Sequence, residues 1–159
     1  MGMNIIQAYN GETGWMTDPQ TGAVIDMQEL VLEQFKREAL GNDALLYPEK
    51  YGITFTFEGR ESVEGKEYLL LKQTHKDGFE STMYIDPDTF LIHKTLGTTV
   101  TQTLEKTDQE TTLSDYRDVD GTKVPFSLKI KQGGIDYADV SITEYKYNTN
   151  LEDSLFDKP

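Results

Sequence analysis

The sequence predicts a mainly β fold of the α+β class: a curved antiparallel meander forming an unclosed half-barrel, with one main helix packed on its concave face. Three observations carry this prediction. Turn signals recur at a fixed distance, Val63-Glu64-Gly65 and Asp77-Gly78 returning 56 residues later as Val119-Asp120-Gly121 and Gly133-Gly134. Each reads as a two-residue hairpin in which Gly supplies the positive φ that a tight turn between twisted strands requires. From residue 52 onward, apolar and polar residues alternate with period 2, while a single segment before it has the 3.6 period of a helix.

Taken in order, Ile5-Ile6-Gln7-Ala8-Tyr9 reads as a first strand, Asn10-Gly11 as a hairpin signal and Gly14-Trp15-Met16 as the returning strand. Asp18-Pro19-Gln20-Thr21-Gly22 is a turn, with Pro fixing φ and Gly closing it. Asp26 to Leu40 is the helix: Asp26 and Glu29 fit a capping box, Met27, Leu30, Val31, Phe35 and Ala39 form an apolar stripe, and Gly41 stops it. Leu45-Leu46-Tyr47-Pro48 follows as a short apolar connector with the character of a helical turn. Strands are placed at 52–59, 66–76, 79–86, 90–106, 110–119, 122–132 and 135–148, which with the first two makes about nine. A sheet this wide curls, and an amphipathic helix across its concave side buries that face.

The length suits one domain, residues 1–159, and no linker or low-complexity run divides it. No apolar run approaches the roughly 18 to 20 residues of a membrane-spanning helix, so stable membrane insertion is not expected. Lys+Arg is 15 against Asp+Glu 28, a net charge of −13. Such a surface repels phosphate backbones and anionic headgroups, which argues against nucleic acid as a partner. With no cysteine, disulfides, thiolate metal sites and cysteine nucleophiles are excluded together. The first residues lack the basic and apolar regions of a signal peptide, and Met1-Gly2 reads as a remnant ahead of the first strand.

Catalytic motifs are poorly represented. GxSxG, HExxH, the P-loop and a strand-linked GxGxxG are all missing. His75 and His93 fall on neighbouring strands without a third ligand and read as surface or cross-strand histidines. Asp115 to Gly121 has spaced carboxylates but lacks the closing Glu of a calcium loop, and the hairpin explains Asp120-Gly121 fully. No metal or organic cofactor is implied, and no pair of carboxylates stands out for hydrolysis. The large apolar residues are more suggestive. They either fill a plain core or line an apolar cleft where helix and sheet do not seal, and alternation does not separate the two.

Several segments resemble the outer-membrane lipoprotein-sorting (LolA-like) family: Tyr9-Asn10-Gly11-Glu12-Thr13-Gly14-Trp15-Met16 with Asp18-Pro19-Gln20-Thr21-Gly22, and Tyr84-Ile85-Asp86-Pro87-Asp88-Thr89-Phe90-Leu91-Ile92. So do Ser114-Asp115-Tyr116-Arg117-Asp118-Val119-Asp120-Gly121-Thr122-Lys123-Val124-Pro125-Phe126 and the closing Asn148-Thr149-Asn150-Leu151 with Phe156-Asp157-Lys158-Pro159. The resemblance implies an unclosed β-barrel plugged by helices and a non-catalytic periplasmic protein that binds the acyl chain of a lipid or lipoprotein. It also implies that the N-terminal part of the natural domain, export signal included, precedes residue 1. Such a chain exposes an edge near residues 4–9, which favours dimerisation by strand addition. Alternation, not the resemblance, supplies the candidate lining of the cleft: Trp15, Leu32, Phe35, Phe55, Phe57, Met83, Ile85, Phe126 and Leu128. The competing reading is a protein-interaction or sensor module with a filled core, docking a partner through its acidic face.

Overall fold

In the computed structural model, residues 5–18, 20–101 and 103–159 are described. Met1-Gly2, residue 4 of the expected edge and Pro19 of the first turn lie outside them. Ten strands form two antiparallel sheets, and the half-barrel with its one main helix is present as expected. The first sheet, β1 (Gln7–Tyr9), β2 (Gly14–Thr17) and β3 (Val24–Asp26), precedes the helix α1 (Glu29–Ala39). A short helix α2 (Asp43–Leu46) and a 3-10 turn (Pro48–Tyr51) lead into the second sheet. Its strands are β4 (Ile53–Val63), β5 (Lys66–His75), β6 (Glu80–Ile85), β7 (Ile92–Val100), β8 (Lys106–Val119), β9 (Thr122–Gln132) and β10 (Ile135–Ser141), each paired with the next in chain order. Among the described residues β4 and β10 are edges that no strand joins, so this sheet does not close on itself.

Several boundaries differ from expectation. Asp26 does not cap the helix: it ends β3 opposite Trp15, and its carboxylate takes the Lys158 ammonium at 2.8 Å. Helix α1 therefore starts at Glu29, with Gln28 at its N-cap and no side-chain cap bond. The Asn10 loop has four residues, because the Asn10 Oδ1 accepts the N–H groups of Glu12 and Thr13 and widens the turn. Asp77-Gly78 belongs to a three-residue loop closed by the His75 N–H to the Phe79 carbonyl, with Asp77 Oδ1 accepting the Phe79 N–H. The strand expected over 90–106 ends at Val100, and β8 begins at Lys106, four residues earlier than expected. The last strand stops at Ser141 instead of 148. Beyond it Asn148 and Asn150 take positive φ, outside the extended region of a regular strand.

The core is thin. Ile53, Met83, Tyr68, Tyr84, Val124 and Phe126 are buried, yet among the described residues no large side chain is completely enclosed. Helix α1 contributes no buried residue at all. Met27, just ahead of it, is buried instead. A Cβ on Gly14 would stand 2.6 Å from the Met27 sulfur and 3.0 Å from Leu32 Cδ1, so this close approach of β2 to the chain entering α1 requires glycine. No helix among the described residues is long and apolar enough to cross a membrane.

Candidate functional site

The site is built by strand register, because residues paired across an antiparallel ladder share a face. One row reads Phe57–Leu71–Met83–Thr95–Thr111–Ile130. A second, further along the strands, contains Leu69–Ile85–Ile92, and Leu113–Leu128 stand on the same face across β8 and β9. These rows share the side on which α1 lies, since Met83 and Thr95 open on the cavity beneath that helix. Apart from Met83, which is buried, and Phe57, which is 61% exposed, every apolar member is half-buried. The face is an apolar band, interrupted by Thr95 and Thr111 in the first row, that nothing among the described residues seals.

Toward α1 the face changes character. Gln73 pairs with Ser81, Gly97 with Gln109 and Gln109 with Gln132, which makes the next row polar. The helix meets it with polar side chains three and four residues apart on one face. The Gln34 amide donates to the Thr99 hydroxyl at 3.1 Å and its carbonyl accepts the Val100 N–H at 2.9 Å. The Arg37 guanidinium pairs with Asp77 at 2.5 Å and lies 4.4 Å over the Phe79 ring. Burial pushes the Asp77 carboxyl up, but the Phe79 N–H and the Arg37 charge outweigh it and hold the group below the ordinary carboxylate value. Burial likewise lowers His75, which stands edge-on to Phe79 at 5.4 Å. Between helix and sheet remains a cavity of about 300 Å³, reached by Gln34, Arg37, Gln73, His75, Phe79, Ser81, Met83 and Gln109.

The nine residues singled out by alternation divide accordingly. Phe55, Phe57, Met83, Ile85, Phe126 and Leu128 share the concave face by register and alternation. Phe126 sits at its far end, with Arg117 4.3 Å over its ring and Tyr145 edge-on at 5.4 Å. Leu32 belongs to the contact between α1 and the small sheet, where it lies over Gly14, and Trp15 on β2 donates its indole N–H to the Phe156 carbonyl at 3.0 Å. Phe35 is half-buried on α1. Of the nine, only Met83 reaches the cavity. Alternation missed Leu69, Leu71, Ile92 and Leu113 on the apolar band, and the polar row altogether. Carrying the register across from Met83, Ile85 and Leu128 finds the leucines.

The opposite face is charged. Lys94 lies 4.2 Å over the Tyr84 ring and 3.6 Å from Glu110, Lys72 pairs with Glu80 at 2.8 Å, and the Tyr84 hydroxyl meets Glu61 at 3.1 Å. A shallow hollow of about 410 Å³ on this side is bounded by Asp108, Glu110 and Lys131. His93 stacks on Tyr68 at 4.6 Å, apart from His75, and no cluster of metal-ligating side chains occurs among the described residues. In the 115–121 segment, the Asp115 and Asp118 carboxylates are taken by Arg117, Lys123 and the Gly121 N–H.

No family model matches the chain, and no curated protein matches it in sequence. Three crystal structures share its fold. A DUF1329 family protein from Desulfovibrio piger superposes with a TM-score of 0.61 at 17% identity, over 98% of this chain and 69% of the other. A domain described as a candidate outer membrane lipoprotein-sorting protein, from Vibrio parahaemolyticus, gives 0.61 at 14% identity, over 91% and 63%. A LolA superfamily protein from Nitrosomonas europaea gives 0.50 at 14%, over 93% and 67%. The fold of this chain is therefore LolA-like. At these identities the likeness is one of fold, and the chain spans between 63% and 69% of the length of these structures.

Proposed function

We propose that this chain is a non-catalytic carrier, a single LolA-like domain that takes up the acyl chain of a lipid or lipoprotein along its concave face in the periplasm. The observation that carries this reading is the unsealed apolar band, with Phe57 at its rim 61% exposed. Contiguous exposed apolar surface on a soluble protein is costly and marks a binding groove more often than a defect. The fold shared with a lipoprotein-sorting domain supports the same reading. Dimerisation through β1, which pairs on one side only among the described residues, belongs to this proposal as well.

Native mass spectrometry on freshly purified protein, with organic extraction of what is retained, tests the proposal. An adduct that extracts as a fatty acid or phospholipid is expected, and the same spectrum reads the dimer. Phe57→Asp places a charge on the band at an exposed position and should abolish the adduct while leaving the β-sheet circular dichroism intact. A clean apo mass that persists after incubation with lipid overturns the carrier reading in favour of an interaction module.

A further inference from the structure

The polar row beneath α1 is out of place in a site built only for a hydrocarbon chain. It lies two residues along the strands from Leu71 and Met83, so within that distance the concave face passes from the apolar band to a cavity whose wall mixes Gln73, Ser81 and Gln109 with Phe79, Met83 and Leu96. Two carboxamide donors there are unspent. Gln73 uses its carbonyl to accept the Ser81 hydroxyl at 3.2 Å, and Gln109 uses its carbonyl to accept the Gln132 amide at 3.2 Å. Neither Gln73 nor Gln109 places its NH2 group on a protein acceptor. No buried polar side-chain atom of the described residues is orphaned, so both groups open on the cavity. A ligand that covers them must supply acceptors, or the desolvation cost stays unmet.

Charge narrows the choice. Arg37, its side chain 20% exposed, is committed to Asp77 and Phe79. Burial lowers His75 and so disfavours a charge on it, and the Glu38 carboxylate takes the Gln34 amide at 2.8 Å. No uncommitted cation of the cavity wall is left for a carboxylate or phosphate, and a net charge of −13 repels both. A hydroxyl group both donates and accepts, which matches amide NH2 and Ser81 together. A cavity of about 300 Å³ accommodates one such head.

Resting on the carrier reading, we infer that the ligand is an amphiphile with an uncharged, hydroxyl-rich head, of the size of a glycerol or one sugar ring. The head occupies the cavity beneath α1, bound by Gln73 and Gln109, and the chain runs out along Met83, Leu71 and Phe57.

Calorimetric titration with three amphiphiles sharing a twelve-carbon chain, each kept below micelle formation, separates the possibilities: dodecyl glucoside, dodecanoate and dodecyltrimethylammonium. The glucoside is expected to bind about tenfold more tightly than either charged probe. Gln73→Leu should collapse that ratio to about one, whereas Phe57→Asp should weaken all three together. Gln109→Leu makes the same test if circular dichroism shows Gln73→Leu unfolded. If a charged probe binds as tightly as the glucoside, or if Gln73→Leu weakens all probes equally, the assignment of the head is overturned and the acyl site stands. If no probe binds, the carrier reading falls with it.

Discussion

The two long hairpins of the large sheet, β4–β5 and β8–β9, share a turn and differ in register. Both turn on two residues of positive φ, Glu64 (50°) and Gly65 (84°) in the first, Asp120 (50°) and Gly121 (82°) in the second. In the second hairpin the pairing set by that turn keeps its register from Val119–Thr122 to Gln109–Gln132, although Asp115, with φ of 52°, drops out of the ladder opposite Phe126. In the first it holds only as far as Gly59–Leu70, and the next pair is Phe57–Leu71, so Glu58 is an extra residue on β4. Without this bulge, the turn register would set Phe57 opposite Lys72, on the charged face. A tight turn thus fixes which face a residue occupies only as far as the first bulge. With Glu58 in the chain, the rim of the proposed site depends on the bulge that absorbs it.

Breaking the bulge should have the largest effect. Gly59 has φ of 113° with open space around it, so a side chain there meets backbone strain and no clash. Gly59→Val is expected to cost about 1–3 kcal/mol. Gly121→Val, in the turn of the regular hairpin and also sterically open, should cost about 1–2 kcal/mol. Urea unfolding midpoints rank the two, and a larger loss at Gly121 would mean that the turn, not the bulge, is the demanding conformation of this sheet.

Deleting Glu58 sharpens the comparison from the other side. The deletion makes β4 a regular strand and carries Phe57 into register with Leu71 through an unbroken ladder, leaving every face assignment as it is. The variant should fold with unchanged sheet content and retain lipid uptake, at a smaller stability loss than Gly59→Val. A folded deletion variant that no longer takes up lipid would show that the bulge shapes the site itself and does more than set its register.

This difference also explains what the sequence makes legible. Val124, Phe126, Leu128 and Ile130 alternate cleanly along β9, where no bulge intervenes on the β8 side, and their shared face follows from period alone. Leu69-Leu70-Leu71 carry no alternation, and their faces follow from the β5–β6 register, because the bulge displaces the register with β4. Strand β3 is hidden for another reason. Its three residues end on Asp26, a residue type that suits a helix N-cap equally well, and only pairing with β2 decides between them. The apolar stripe of α1 predicts a helix against the sheet, which holds, but the side chains that reach the large sheet are Gln34 and Arg37. That choice is set by partners on the large sheet 40 and 65 residues away in sequence, Asp77 and Thr99, and no local period reports it.

The smallest expected effect concerns the turn ends. Lys66, directly after the first turn, reaches out of its hairpin to Asp86 at 2.5 Å, in the β6–β7 connection, whereas Lys123 after the second turn pairs with Asp118 inside its own hairpin at 3.5 Å. The Lys66 ammonium, then the N–H groups of Asp88 and Thr89, hold the Asp86 carboxyl down at about 2, below its ordinary 3.8. A folded pKa below the unfolded one means that the unfolded chain binds more protons on acidification. The contribution of the pair is thus complete above 3.8 and lost as pH falls through about 2. Because the group is exposed, the loss should be local. An NMR titration should place the Asp86 midpoint near 2. Amide exchange at residues 63–66 should quicken over the same range relative to residues 119–122, where Lys123 makes no bond outside the hairpin. In Lys66→Met the midpoint should return toward 3.8 and the two turns should respond alike. An Asp86 midpoint that stays near 2 in that variant would assign the shift to the backbone N–H groups of the connection, and the two hairpin ends would then be electrostatically equivalent.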